Sequence, residues 1–554
     1  MATQISGELR DYDPSNNESK PSTAFVDLAS FDNIERAMYG GKRAITYFMR
    51  ETTRSTWFTQ MPVRLQNDEV DPDFDQSFSV TVSREGDYLL NAWLRVSLGA
   101  LSIYNPTNGW INTPTQGRET IGWTPNFMHN LVERCTLKVN GLIVDELYSE
   151  HLDFLSAFTV PKGSRIGYNR MIGNFNTPFQ GLSPVNVSGY MANKYPNVNW
   201  QQELFLPLPF FFSRGTTSAL PLVSLPYNDI KIEFKFRDWR KLLYSVDADG
   251  QILTVNASQV MQQTPKIENV QVWGNYAVIT DSERKKVGCY EREMTIEQNK
   301  QLGGSYGSGM LNTDTLKSTT KVDLRFSGAV KTLFFSARNS SGSSDLPYRS
   351  NYTTAGPSAS DVTVCKLSIS GVTEIGNFEN GLTLSNSTNV SGVPPLDVEL
   401  NPFNIGHNDR SGLVWPTNPT NPIGTARLMY ENNLRFDMES LYYSLIQPHQ
   451  HARNVPESSS LKGIMSLTTP NEVSGQPALS VGYNMYSYAL KVKSRYPSGS
   501  SNYNDLSNVN LVFTPSTSAI NNKKNGHGPW TLFVSAITQN VIKISKGVMT
   551  FPII

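Results

Sequence analysis

The residue types that could do chemistry are few and poorly grouped. The chain has six histidines, and only His449 and His451 lie close together. If their segment is a strand, they share one face and could hold a metal ion with a third ligand. The surrounding QPHQHARN supplies no carboxylate or cysteine partner, so a surface loop is the default. Gly303-Gly304-Ser305-Tyr306-Gly307 matches the letters of a nucleophile elbow. That elbow needs a buried strand before the serine and a helix after it. Here polar EQNKQ precedes and GSGMLNTDT follows, so a flexible Gly/Ser loop is expected. Cys135 falls in an expected strand and reads as core. Glu291 and Glu293 form a carboxylate pair, but nothing marks them out as an acid and base. No Gly-rich loop carries a Lys-Ser/Thr pair, so phosphate cradling is unsupported. No catalytic, cofactor-binding or metal-binding residue is assigned, and no cofactor is expected. Trp and Tyr are plentiful; they suit either a sugar groove or the anchors of an assembly interface.

Composition points the same way. In 554 residues, Lys plus Arg equals Asp plus Glu, and only 17% of residues are charged. Proteins that track nucleic acid carry a basic excess, so direct DNA binding is not expected. A neutral surface permits close self-association. Three distant cysteines, Cys135, Cys289 and Cys365, argue against a disulfide framework and fit a reducing compartment. The first 23 residues lack the apolar core of a signal peptide. No apolar run approaches the ~18 residues of a membrane span. Sequons at Asn186, Asn256 and Asn351 read as chance in an Asn/Ser-rich chain.

The elements that would position any site read as strands. Phe78, Val80 and Val82 alternate, Arg84-Glu85-Gly86-Asp87 turns, and Tyr88, Leu90, Ala92 and Leu94 alternate back, which predicts a hairpin. A polar loop runs from about residue 102 to 122. Asn140-Gly141 within LKVNGLIVDEL predicts a second hairpin, and Tyr148, His151, Leu152 and Leu155 then space as a helix face. Prolines at 196, 207, 209, 221 and 226 forbid a helix through the next stretch. Phe210, Phe211 and Phe212 read as a strand covered on both faces. After Tyr227-Asn228-Asp229, Ile230, Ile232, Phe234 and Phe236 alternate with Lys231, Glu233, Lys235 and Arg237, a strand with one solvated face. Near the N-terminus, Ser30 can cap a short helix with Phe31, Ile34 and Met38 on one face, docked on a domain, and Gly40-Gly41 stops it.

A weak internal repeat runs through this pattern. Asn432-Asn433 turns a hairpin followed by MESLYYSLI, as Asn140-Gly141 is followed by LYSEHLDFL. Tyr503-Asn504-Asp505 precedes a run ending VNLVF, as Tyr227-Asn228-Asp229 precedes IKIEF. Two similar β domains in tandem are one reading; chance similarity in an Asn-rich chain is the other.

The wording of these segments is more specific than their pattern. LPLPFFFSR followed by ALPLVSLPYNDIKI resembles the end of the first jelly roll in the major capsid proteins of nucleocytoplasmic large DNA viruses, of the iridovirus and marseillevirus type. FVDLASFDNIERAMYGG, SYALKV, GSSNYNDL and the terminal KGVMTFPI resemble further blocks of that family. The resemblance spans nearly the whole chain, which is longer than the shorter family members, mostly after Arg338.

The resemblance implies an all-β fold of two tandem eight-stranded jelly rolls, a double jelly roll, with short helices and long loops. The expected organisation is an N-terminal arm at 1–23, a first roll at 24–241, a linker at 242–267 that could also be a further strand, and a second roll at 268–554. A long loop insertion lies at about 339–425. It further implies a structural capsid protein, not an enzyme, forming pseudo-hexameric homotrimers that tile the icosahedral shell of a large double-stranded DNA virus. Expected partners are other copies of the chain, minor capsid and penton proteins, and an inner membrane only indirectly. The expected location is the virion, assembled in the host cytoplasm. The arm would face inward and the 339–425 loop would form an outer tower. A carbohydrate-binding β-sandwich is the alternative, and a non-viral β scaffold a third; a stable trimer of about three times 61.8 kDa separates capsid from a glycan-binding monomer.

Overall fold

The computed structural model describes residues 29, 32–39, 54–67, 72–98, 104–105, 109–110, 120–124, 126–173, 185–186, 202–246, 252–253, 265–302, 319–339, 352, 366–369, 372–375, 421–456, 482–524 and 530–551. Two units are distinguished, Met1–Thr56 and Trp57–Ile554. In the first, helix α1 (Asn33–Met38) starts where the Asp32 carboxylate accepts the Asn33 N–H at 2.7 Å. The expected apolar face does not bury: Ile34 and Met38 are both exposed.

In the second unit, the first strands are β1 (Phe58–Asn67), β2 (Ser77–Thr81), β3 (Tyr88–Leu98), β4 (Thr120–Trp123), β5 (Val132–Val139) and β6 (Leu142–Tyr148). They are followed by β7 (Gln202–Pro207), β8 (Ile230–Phe236), β9 (Leu243–Val246) and β10 (Ile267–Ile279). Helices α2 (Phe127–Leu131), α3 (Ser149–Thr159) and α4 (Lys162–Ile172) interrupt them. Hydrogen bonds run in the order β7–β3–β10–β1–β2–β8–β5–β6. The path folds at β1, which pairs β10 from Phe58 to Leu65 and β2 only through Gln66 and Asn67. The result is two facing four-stranded sheets, β7–β3–β10–β1 and β2–β8–β5–β6, in the order of a jelly roll. Leu94, Val96, Val272 and Tyr276 of one meet Phe78, Val80, Ile232 and Phe234 of the other in a common core.

After α5 (Asp281–Cys289), the same order repeats. The strands are β11 (Arg292–Gln301), β12 (Thr320–Asp323), β13 (Ala329–Asn339), β14 (Ile423–Tyr430) and β15 (Asn433–Glu439). They continue with β16 (Asn484–Ser487), β17 (Ser501–Asn502), β18 (Val509–Pro515), β19 (Trp530–Ser545) and β20 (Val548–Thr550). One sheet runs β11–β19–β13–β16, with β17 and β20 attached, and the other β12–β18–β14–β15. Leu333, Phe335, Val534 and Ala536 face Ala426, Leu428, Leu511 and Phe513 across this second core. The fold is therefore all-β, two jelly rolls in tandem.

Several local expectations are corrected. β2 and β3 form no hairpin: β2 pairs β1 and β8, while β3 pairs β7 and β10, because the connection between them crosses from one sheet to the other. Phe210–Phe212 is buried, but it is not a strand. β7 ends at Pro207, and Phe211–Arg214 is a 3₁₀ turn closed by Ser213 N–H donating to Phe210 O at 2.9 Å. The span 242–267 contains β9, which pairs β4. The segment expected to open the second roll at 268 is β10, the central strand of the first roll's sheet, bonded to β3 and β1 on its two sides. Its alternately buried Val270, Val272 and Tyr276 belong to the first core, so the passage between rolls falls after Ile279. The Asn140-Gly141 hairpin is present, with φ of 51° and 80° at the two turn residues. In the repeat the turn sits one residue earlier than expected, at Glu431-Asn432, with φ of 50° and 67°. The arm at 1–23 lies outside the described residues, as does nearly all of the 339–425 loop; within it Lys366–Ile369 and Val372–Ile375 pair as a short hairpin.

Candidate functional site

The residues considered for chemistry are not brought together. The segment carrying His449 and His451 is helical, of π type over Tyr442–Ile446 and Pro448–Ala452, so positions two apart do not share a face. His449 is exposed. Among the described residues no cluster of three or more His, Cys, Asp or Glu could hold a metal ion. Cys135 is buried in β5, and burial, with Asp145 adding to it, raises its thiol well above the ordinary value. Cys289 is exposed at the end of α5. Glu291 accepts a hydrogen bond from the Ser545 hydroxyl, and Glu293 is exposed. Residues 303–307, Cys365, Asn256 and Asn351 lie outside the described residues; Asn186 pairs with Thr120 in a short strand.

The concentrated polar chemistry lies instead in the seam between the two rolls. β6 is the edge strand of the first roll, yet Val144, Asp145, Glu146 and Leu147 are all buried. α3 follows directly, with nine of its eleven residues buried. Apolar residues cover it on the side of the second roll: Phe154 lies 6.4, 4.8, 5.1 and 5.0 Å, centroid to centroid, from Phe334, Tyr483, Phe533 and Tyr352. Phe158 stacks on Phe334 at 5.4 Å. These residues form a third core shared by both rolls.

Within this seam a polar network is closed on itself. Glu297 of β11 receives Arg214 of the first roll on one carboxylate oxygen and Lys331 of β13 on the other. The remaining Lys331 protons go to Val492 O at 2.8 Å and Ser494 O at 2.6 Å. Arg214 also donates to Asn299 Oδ1 at 2.9 Å, and the Asn299 backbone and amide N–H groups donate to Asp145. His151 of α3 lies between Asn299 Oδ1 and Ser535 Oγ, each at 2.9 Å. Since that Oδ1 only accepts, His151 Nε2 donates to it, and the neutral ring accepts from Ser535 at Nδ1. Further along α3, Asp153 accepts from Tyr483 OH at 2.8 Å, and Asn454 Nδ2 donates to the terminal carbonyls of Ala157 and Val160 at 2.9 and 3.0 Å.

Burial sets the protonation of these groups. It pushes the Asp145 carboxyl up to about 7, against the hydrogen bonds from Asn299 and the nearby Arg214 charge. It pulls His151 down to about 3, with Arg214 adding to it. It lowers Lys331, while Glu297 draws it back. Buried ions of this kind survive only when every partner is in place. The named polar groups are bonded to one another, all buried except the partly exposed Arg214, so the arrangement fixes two domains against each other. The sequence does hold one signal for it: Lys331 within SGAVKTLFFSA, Asp145-Glu146 within LIVDELY and Arg214 after FFFS are ions in apolar strings.

Two smaller locks complete the seam. Arg284 of α5 grips Asp87 with Nε and Nη2 at 2.8 and 3.1 Å, while Asp87 also accepts the Ile279 N–H at 2.9 Å. The C-terminal strand β20 returns to the first roll, where Met549 joins its core and its N–H donates to Asn228 Oδ1 at 3.3 Å.

Comparison with known proteins agrees with this architecture. Residues 46–279 match the family "Major capsid protein N-terminus", and residues 283–550 match "Large eukaryotic DNA virus major capsid protein". The chain is 34% identical to the major capsid protein of Costelytra zealandica iridescent virus, over 97% of this chain and 99% of that one. It is 33% identical to that of Rana tigrina ranavirus, over 96% and 98%. Among solved structures, PBCV-1 VP54 aligns with a TM-score of 0.59 at 18% identity, covering 92% of this chain and 100% of that one. The Faustovirus major capsid protein aligns at 0.57 and 12% identity, covering 94% and 96%. The two family matches meet within four residues of Ile279, where the hydrogen bonding passes from the first roll to the second. With two jelly rolls, a closed seam and a third of its residues shared along nearly its full length, the chain belongs to the major capsid proteins of large eukaryotic DNA viruses.

Proposed function

We propose that this chain forms homotrimeric capsomers of pseudo-hexameric outline that tile the icosahedral shell of a large double-stranded DNA virus. The observation that carries the reading is the seam: two rolls of one topology, locked by shared core and closed ion network into one rigid body. Such a body serves as a building block, and six of these rolls in three copies supply a hexagonal outline. It acts mechanically and not as an enzyme. A permanent trimer contact buries well above ~1,000 Å². Many weaker contacts between capsomers then add through multivalency. Minor capsid and penton proteins complete the shell, and contact with an inner membrane runs through other proteins. With zero net charge, the chain leaves DNA binding to others. Assembly takes place in the host cytoplasm.

Native mass spectrometry of the purified protein tests this. The expected species has about three times the 61.8 kDa chain mass, and negative-stain images show hexagonal outlines. A monomer at micromolar concentration that binds a glycan array would overturn the reading in favour of a carbohydrate-binding sandwich.

A further inference from the structure

We infer that the cleft bounded by the turn after β7, strand β11 and residues 495–497 is a binding site for a phosphate-type oxyanion, held by Arg495. The site lies within one chain, between its two rolls, and does not depend on how copies assemble.

Three segments of different origin meet here. Phe211, Arg214 and Thr217 come from the turn that follows Pro207 and Pro209, where the chain leaves β7. Glu293, Thr295 and Glu297 stand at alternate positions of β11 and so share one of its faces. Arg495 and Tyr496 come from the stretch between β16 and β17. Together they line a cleft of about 250 Å³. A water molecule takes up roughly 30 Å³ of liquid, so the cleft has room for a four-oxygen anion and several waters around it.

The charges of the cleft are unequally used. Arg214 is spent on Glu297 and Asn299, and Lys331 takes the other oxygen of Glu297. Arg495 is held in another way. Its guanidinium lies against Gly215, where an added Cβ would stand 3.0 Å from Cζ, 3.1 Å from Nη1 and 3.2 Å from Nε. The glycine thus leaves the space that this side chain fills. Among the described residues, Arg495 Nη1 is buried and meets no acceptor. Glu293 lines the same cleft but is exposed and leaves Nη1 unbonded. Arg214, Arg495 and Lys331 set three positive charges against the two of Glu293 and Glu297, so one is left over. A buried donor without an acceptor is costly, more so when it carries charge, and calls for a water or an ion. Water would leave the charge uncompensated; an anion answers both needs.

The anion that fits best is tetrahedral. A guanidinium offers paired N–H donors at the spacing that phosphate and carboxylate oxygens accept. A carboxylate spends both oxygens on that fork. Phosphate keeps others for the hydroxyl that Thr217 brings to the cleft. Bound there, it touches the turn of the first roll and the 495–497 stretch of the second, and so adds a tie between them. Free phosphate and the phosphate of a lipid headgroup share this chemistry.

Calorimetric titration of the full chain with inorganic phosphate at low millimolar concentration tests this, with sodium chloride of equal ionic strength as the reference. The expected result is one site per chain, and a melting temperature raised by phosphate but not by chloride. Arg495→Gln removes the charge and its donor fork, and binding is expected to weaken at least ~10-fold, as for the loss of charge-assisted hydrogen bonds. Glu293→Gln removes a like charge at the exposed rim and is expected to tighten binding. That variant decides the matter if Arg495→Gln impairs folding, which circular dichroism reports. Vesicles of phosphatidylcholine with phosphatidic acid separate the two sources. A chain that floats with them, and no longer does so as Arg495→Gln, takes a headgroup; one that binds free phosphate and does not float takes a soluble ion. An unmodified chain that binds no phosphate would overturn the inference. So would full binding by Arg495→Gln, or binding left unchanged or weakened by Glu293→Gln.

Discussion

At the scale of single residues, the seam concentrates the most consequential side chains. Lys331 shares the Glu297 carboxylate with Arg214 at a place where both Lys331 and Glu297 are buried. Lys331→Met leaves Glu297 to Arg214 alone and two carbonyls unbonded. Losing one partner of a buried pair costs about 3–5 kcal/mol. Denaturant unfolding should show that loss as a lower midpoint; a shift below ~1 kcal/mol would mean that water reaches the site. The two titratable neighbours pull in opposite directions with pH. His151 is lowered to about 3, so its contribution is full above its unfolded value near 6.5 and is lost as pH falls toward 3. Asp145 is raised to about 7, so its contribution is full below its unfolded value near 3.8 and is lost as pH rises through 7. Between pH 4 and 6.5 the two oppose each other. Measured against the unmodified protein, Asp145→Asn should lose stability progressively as pH drops through this window, and His151→Gln should gain. Curves of the same sign for both variants would refute the assignment. Little of this was legible locally. His151 reads as one position on a helix face, and its partners Asn299 and Ser535 lie 148 and 384 residues away. The apolar strings around Lys331 and Asp145 advertise buried ions without naming their partners.

At the scale of elements, what the sequence makes legible is what depends on near neighbours. Asn140-Gly141 takes positive φ at both positions because the right-handed twist of its strands favours that turn. Ile230–Phe236 buries every second residue as its alternation requires. Gly141 has open space around its missing Cβ, so Gly141→Val isolates the backbone cost of φ 80°. A loss of ~1–2 kcal/mol is expected from the left-handed conformation, read as a lower melting temperature; no loss would mean the turn had changed type. Where a distant contact decides, local reading slips. The second turn falls on Glu431-Asn432 because Glu431 is held on both sides of Asn508: its N–H donates to Asn508 O at 2.9 Å, and its carboxylate accepts the Asn508 N–H at 3.0 Å. β2 and β3 read as a hairpin because a short Gly-containing loop joins two alternating runs. A jelly roll sends such neighbours to opposite sheets, and only the non-local pairing with β8 and β10 reveals it. The same holds for β10, whose place in the first roll is fixed by partners about 170 to 220 residues earlier in sequence.

At the scale of the whole molecule, the question is whether two rolls make two domains or one. Linked domains ordinarily unfold separately, since interfaces between them are modest. Here the boundary is a core in its own right. Phe154 alone touches five aromatic rings, four of them beyond its own helix, and the C-terminal strand returns to place Met549 among the first roll's residues. Neither roll can open without baring the face the other covers. Calorimetry of the unmodified protein, under conditions that hold it monomeric, should therefore give a single unfolding transition. Phe154→Ala removes the ring at the centre of the seam while leaving both sandwich cores untouched. Its cost, about 3–5 kcal/mol for a fully buried aromatic, falls on the coupling between rolls and not on either roll. The expected trace has two transitions, the earlier one shifted down. If the variant instead unfolds in one step at a lower temperature, the rolls share more than this helix. If the unmodified protein already unfolds in two, the seam is too weak to make the pair a single body, and a shell built from it would flex within each subunit.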